Sequence, residues 1–466
     1  MHDPECVCDV AVIGGGLAGL VAACRAAQLG KHTVVLERGT EPKYPCNTRY
    51  TYGTLHVRYA TPTADEDDLY RRITDVTEGF ARPDLARAVA RHARRLVAWL
   101  VEEGVELIQL GQYHTHVLSP VARTGAGLKW EGYAGDVALE RLESALVRRG
   151  GRLLRGTRAR SLHLASPRRI EVAADQATGP KRFVAQAVVV ADGGFQANAD
   201  LVRAHISPAP EKLLRRYGGE SVGDGLRMTQ EAGAMVAGLP QMYGHLHSRE
   251  ALHDPRLWPR PLVDELASAG ILVDAAGKRF ADEGHGGIYL SNAVARLADP
   301  LSATIVFDQP IWDGPGRDHV QPANPLVVEN GGTLHVADAL GELAAQAGLP
   351  PANLQQTVDQ YNAALEAGAL DRLAPSRRTA PLAAWPIRTP PFYAMPVCSA
   401  ITNTMGGIVV DGDGAVLNLQ GAPIPGLFAA GATIGSLDGG PHAGYVGGLI
   451  KAVLGLLAAE KIAEQG

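Results

Sequence analysis

The residues best suited to chemistry stand near the amino terminus, where Gly14-x-Gly16-x-x-Gly19 is followed by Glu37. Glycine at the first position permits a tight turn. At the second it lets the backbone approach a pyrophosphate, and at the third it lets a helix pack closely on a strand. The first N–H groups of that helix and the positive end of its dipole then face the phosphates. An acid about 20 residues further on accepts hydrogen bonds from a ribose, and Glu37 occupies that place. The chemistry is dinucleotide binding, with Leu17, Ala18 and Arg38 as neighbouring contacts, and the motif alone leaves NAD and FAD both open.

Such a turn works only between a strand and a helix. Val10–Ile13 supplies an apolar run before it, an Ala-rich helical segment follows, and Val34, Val35 and Leu36 lead to Glu37, which together read as a βαβ unit. A polar, aromatic loop over 43–58 comes next, with Tyr50 and Tyr52 suited to walling a flat ligand. Two helices are predicted within 65–105, another over 138–149, strands within 152–164, and a buried strand over 183–195 that runs into a Gly-Gly turn. From about residue 234 the periodicity fades. A strand–turn–strand at 270–280, a strand at 302–307, two short helices within 340–365 and a Pro-rich stretch at 375–396 read as an inserted domain. A hairpin over 407–417, the Gly-rich loop 436–449 and a terminal helix resume the first domain. The expected division is 1–233 and 381–466 for the first domain and 234–380 for the insertion.

The 466 residues are 46% hydrophobic and 20% charged with a net charge of −5, the composition of an ordinary globular chain. Acids and arginines are interspersed, so no nucleic-acid partner is expected. The N-terminal MHDPECVCD lacks the basic and apolar regions of a secretory signal. The longest apolar stretch, 446–459, is interrupted by Lys451 and is too short for a bilayer that needs roughly 20 residues. The expectation is a cytoplasmic protein without a membrane span. Cys6, Cys8, Cys24, Cys46 and Cys398 are scattered, with no spacing that would ligate a metal, haem or iron–sulfur cluster. Any redox group is therefore organic, and electrons must leave through another molecule.

The GGGLAG turn with Glu37, VVVADGGF, GILVDAAGKRFADEG, TPPFYAMPV, NTMGGIVVD and PGLFAAGATIG together resemble the FAD-dependent fumarate reductase/succinate dehydrogenase flavoprotein family, over nearly the whole chain. That family also includes 3-ketosteroid dehydrogenases and tricarballylate dehydrogenases, the latter being the most similar in FADEG, VFDQPIW and WPIRTPPFY. The resemblance implies an α/β fold: a Rossmann-type FAD-binding domain with an inserted α+β capping domain for the substrate. It extends the FAD contacts to Asn47, Thr48, Gly53, Ala191, Gly193, Gly431, Gly448 and Leu449. Asn47 stands where some relatives carry a histidine bonded to FAD, so the cofactor is expected to be non-covalent. Ala432 replaces a ribityl-binding glutamate, and Asp192 replaces a Thr or Ala.

On the substrate side the resemblance implies candidates and departures. His442 and Tyr445, in the loop facing the flavin, are candidates for taking the α-proton or binding the substrate, His245 and His247 in the insertion for binding its carboxylate or carbonyl or serving as the acid or base, and Glu283 for a catalytic place near the substrate, while Arg279 is expected to be a structural partner. Trp312, Asn403 and His442 stand where fumarate reductases place an arginine acid, a histidine and a second arginine, which argues against a dicarboxylate. The expected activity is an FAD-dependent dehydrogenase, or desaturase, that forms a C=C bond beside the carboxylate or ketone of a small organic acid, cyclic keto acids included. An external acceptor (oxygen, a quinone or a partner protein) would take the electrons. A reductase of unsaturated acids and an electron-transfer subunit of a larger complex are the alternatives.

Overall fold

The structure is a computed structural model and describes residues 6–51, 53–110, 117–123, 131–319 and 321–465. Tyr52 lies outside the described residues. The chain divides into two compact units, the first built from 1–198, 217–241 and 403–466 and the second from 199–216 and 242–402.

The first unit opens with β1 (Cys6–Ile13), whose last four residues are all buried, as expected for a parallel strand covered on both faces. Helix α1 (Leu17–Gln28) follows; its Ala and Gly residues let β1, the helix Ala134–Arg148 and the terminal helix Val453–Glu464 approach it closely. Then come β2 (Thr33–Leu36), β3 (Arg152–Leu154), β4 (Arg158–Ser166), β5 (Arg169–Gln176) and β6 (Gly179–Val190). The helices predicted within 65–105 are Glu66–Val76 and Pro83–Glu102, the first capped by the Asp65 carboxylate.

In the second unit, β7 (Met242–Ser248), β8 (Ile271–Val273), β9 (Thr304–Asp308) and β10 (Phe392–Thr404) form a sheet in the order β7-β10-β9-β8. Its core includes Leu266, Ile271, Val306, Phe307, Leu343, Tyr361 and Met395. The sequence-based division is corrected here. Residues 381–402, assigned to the C-terminal return, belong to the second unit because β10 pairs antiparallel with β9 from Asp308↔Phe392 to Thr304↔Pro396. Residues 199–216 also belong to it, through the pairing of Leu214 and Arg215 with Ala400 and Ile401. Residues 234–241 belong to the first unit, where Val236 pairs with Ile408.

The chain re-enters the first unit with β11 (Ala415–Leu417) and β12 (Pro423–Ala429), completing the order β11-β12-β6-β1-β2-β3. Strands β12, β6, β1, β2 and β3 are parallel, so their carboxyl ends line one edge. In open α/β sheets that edge holds the ligand. Among the described residues, no helix is long and apolar enough to cross a membrane.

Candidate functional site

The glycine turn follows β1 and is fixed by contacts that exclude side chains. Gly14 has φ +103°, and a Cβ there would lie 2.5 Å from the Ala191 carbonyl oxygen; one at Gly19 would overlap the Gly14 carbonyl. Gly16 differs, because the nearest atom to its Cβ position is Thr48 Oγ1 at 3.6 Å. Space is thus kept above the second glycine, where a pyrophosphate would lie, while Thr48 Oγ1 accepts the Leu17 N–H at 3.1 Å. Glu37 sits at the end of β2 and binds the turn itself, Oε2 accepting from Gly15 N at 2.8 Å and Oε1 from Gly39 N at 2.7 Å. Each carboxylate oxygen retains capacity for a ribose hydroxyl. Burial pushes the Glu37 carboxyl up, against these two N–H bonds. The open space, the donors at the helix start and this acid fit an FAD pyrophosphate and ribose.

Sequence reasoning missed Tyr44. Its hydroxyl donates to Gly15 O at 2.7 Å, and Arg49 lies over its ring at 4.7 Å. Arg49 is itself buried and ion-paired with Asp136 and Glu143, so the loop is anchored to the helix Ala134–Arg148. Arg38 pairs with Glu220 at 2.9 Å, and Asn47 Oδ1 accepts from Gly218 N at 2.9 Å. Leu17, Thr48, Gly53 and Leu449 line one small apolar cavity. Gly193 has φ +85°, and Gly431, at φ +84°, approaches Ala18 so closely that an added Cβ would come within 2.8 Å.

The Gly-rich loop 436–449 rests on a fully buried ion pair between Asp438 and Lys451. Asp438 Oδ1 also accepts the Val446 N–H at 2.7 Å. Ser436 and Ala443 have φ of +65° and +53°, and Arg58 and Tyr59 have +45° and +61° on the segment tied to the loop by Arg58 N to Val446 O at 2.7 Å. Non-glycine residues held in this region cost energy and tend to cluster at functional sites. The two candidates in the loop have different surroundings. His442 Nδ1 lies 2.6 Å from Glu78 Oε1, with both side chains partly exposed. Tyr445 is buried beside Gly448 and meets the ring of His56 edge-on at 5.9 Å. His56, another residue the sequence reading missed, stacks on Tyr59 at 5.0 Å and accepts the Tyr59 N–H on Nδ1 at 3.2 Å.

In the second unit, Tyr243, His245 and His247 alternate along β7 and so share a face. His245 Nδ1 lies 2.5 Å from Asp264 Oδ2, and its Nε2 lies 3.0 Å from the Tyr243 hydroxyl. Leu246 N donates to Asp264 Oδ1 at 2.8 Å. Burial holds the His245 pKa low despite Asp264, whereas the His245 and Leu246 bonds outweigh burial and keep Asp264 below the usual carboxylate range. In its Nδ1–H tautomer His245 donates to Asp264 and accepts the Tyr243 hydroxyl proton on Nε2. Burial raises the Tyr243 phenol, opposed by the charges of Arg216 and Arg260. The spacing of 243, 245 and 247 was the available signal for Tyr243; Asp264 left none.

The other two candidates in this unit are fully buried. His247 is fully buried, 3.2 Å from Leu257 O through Nδ1, and burial lowers its pKa to about 3. Glu283 is fully buried in an ion pair with Arg279 at 2.6 Å and accepts Leu272 N at 3.1 Å. The same carboxylate thus ties Arg279 to Leu272 on β8.

Residues 9–444 match the family described as FAD binding domain. An NADH:fumarate oxidoreductase of Klebsiella pneumoniae is 26% identical over 94% of this chain, which spans 45% of that relative. A 4-oxocyclohexanecarboxylate 2-dehydrogenase of Sinomonas cyclohexanicum is 27% identical over 99% of this chain and 94% of its own length. Among solved structures, a 3-ketosteroid-Δ4-(5α)-dehydrogenase from Rhodococcus jostii RHA1 superposes with a TM-score of 0.72 at 21% identity, covering 99% of this chain and 98% of that one. That likeness concerns the fold.

Proposed function

The chain belongs to the FAD binding domain family, and on that premise we propose that it is an FAD-dependent dehydrogenase of small saturated keto acids, forming a C=C bond beside the carbonyl or carboxylate. The observation that carries this reading is the hydrogen-bonded chain Tyr243–His245–Asp264 flanked by Arg216 and Arg260. The chemistry FAD supplies when bound is hydride acceptance; the residues of this chain supply the rest. The α-proton, acidified by the neighbouring carbonyl, passes to Tyr243 Oη as the phenol proton moves to His245 Nε2. The imidazolium so formed is stabilised by Asp264, the division of labour found in hydrolase triads. Arg216 and Arg260 favour the developing phenolate and suit a single substrate carboxylate.

The keto-acid class is supported by the dehydrogenase relative whose full length this chain nearly matches. It is supported too by the side chains at the departures from the fumarate reductase pattern: Trp312 stacks on Phe307 at 5.8 Å, and Asn403 donates to Thr404 O at 3.0 Å. His442 and Tyr445 serve the ring-side loop, the FAD is non-covalent, and an external acceptor reoxidises it. The five free cysteines suit a cytoplasmic setting.

The test is anaerobic flavin reduction by saturated cyclic keto acids, in the parent and in Tyr243→Phe. The variant is expected to retain its FAD and to lose roughly 10²–10⁴-fold in the rate of bleaching. Bleaching at the parent rate would remove Tyr243 from the reaction.

A further inference from the structure

The carboxyl edge of the first unit carries an acid to which no role has been given. Asp192 follows β6, and its backbone lies against the glycine turn, 2.7 Å from the Cβ position of Gly14. Its carboxylate is held from two sides, Oδ2 accepting from Gly225 N at 2.7 Å and Oδ1 from Thr433 Oγ1 at 3.3 Å. Two accepted bonds leave about half of the lone-pair positions of a carboxylate unused.

The strand order assigns this acid a place along the cofactor. Glu37 ends β2, the glycine turn ends β1, Asp192 follows β6, and Thr433 follows β12, on strands adjacent in the order β12-β6-β1-β2. Neighbouring strands are about 4.8 Å apart. Along FAD the order of groups is adenosine ribose, pyrophosphate, ribityl chain and flavin ring. With the ribose at Glu37 and the pyrophosphate at the glycine turn, the group that reaches the end of β6 is the ribityl chain. Its hydroxyls are donors, whereas the pyrophosphate offers only acceptors. We infer that Asp192 accepts a hydrogen bond from a ribityl hydroxyl of bound FAD.

The surroundings set the pH dependence. Burial raises the Asp192 carboxyl to about 7, against the Gly225 and Thr433 bonds, and Asp224 on the helix Asp224–Glu231 adds to the rise. The charge of Asp224 is in turn held by Arg158 on β4 at 2.6 Å and by Arg38 at 3.9 Å. Thr433 and the glycines of the turn carry no charge of their own. A hydroxyl donor favours the ionised form, so FAD affinity rises with pH through about 7.

The test is fluorescence titration of the full chain at pH 6 and pH 8, with FAD and with analogues each lacking one ribityl hydroxyl, in the parent and in Asp192→Asn. The asparagine oxygen can still accept from Gly225, and urea unfolding checks the fold. The parent should bind FAD about tenfold more tightly at pH 8 than at pH 6. The variant should lose that difference and bind roughly 10- to 100-fold more weakly at pH 8. One deoxy analogue should bind poorly to the parent and no worse than FAD to the variant. Unchanged FAD affinity in Asp192→Asn, or an equal loss for FAD and every analogue, would overturn the inference and leave Asp192 as a helix cap. The inference rests on FAD binding alone, so a chain that binds FAD but oxidises no keto acid leaves it standing.

Discussion

Replacing Lys451 with methionine removes the cation beneath the Gly-rich loop. Lys451 and Asp438 are both fully buried, and without the lysine the Asp438 carboxylate keeps, among the described residues, the Val446 N–H at 2.7 Å. Breaking a buried pair by removing one partner costs about 3–5 kcal/mol, because the surviving charge has neither water nor a counter-ion. The exposed pair Lys461–Asp413, at 3.3 Å, is the internal control, and Lys461→Met should cost no more than about 1 kcal/mol. Combining Lys451→Met with Asp438→Asn removes the orphaned charge while keeping an acceptor for Val446 N, so most of the loss should return. Urea unfolding of the FAD-loaded protein, followed by circular dichroism and by flavin fluorescence, reads all three variants. A Lys451→Met loss no larger than that of Lys461→Met, or a double variant less stable than the single one, would refute the reasoning.

Two further outcomes follow from local geometry. Gly19→Ala places a Cβ on the Gly14 carbonyl and should abolish FAD binding, which flavin content on purification measures; retained stoichiometric FAD would contradict the packing role of this glycine. His247, with a pKa lowered from 6.5 to about 3, stays neutral in the folded protein while its unfolded counterpart gains a proton below about pH 6.5. Stability should therefore fall as pH drops from 6.5 toward 3, by up to about 1.4 kcal/mol per unit. Urea midpoints of His247→Gln should decline less steeply than the parent's across pH 6.5 to 5, and equal slopes would contradict the assignment.

What was legible in the sequence was local. Gly14 and Gly19 announce a turn because only glycine tolerates φ +103° or so close a carbonyl, and those constraints act within a few residues. The apolar runs of β1 and β2 and the 3.6-residue spacing of Pro83–Glu102 are likewise short-range patterns. Partnerships across the fold left no such trace. Lys451 reads as an interruption of an apolar stretch until the loop brings Asp438 to it. The return boundary was misplaced because the prolines before β10 suggest a linker, whereas β10 is held by its pairing with β9. Asp264 lies 19 residues from His245 with no periodicity to join them.

The most direct measurement is anaerobic mixing of the FAD-loaded chain with 4-oxocyclohexanecarboxylate and related saturated keto acids, with the oxidised flavin band and the product's double bond followed together. The reading predicts bleaching matched one-for-one by formation of the α,β-unsaturated acid. No bleaching by any saturated keto acid, with rapid reoxidation of the dithionite-reduced chain by an enoate, would contradict it and make the chain a reductase.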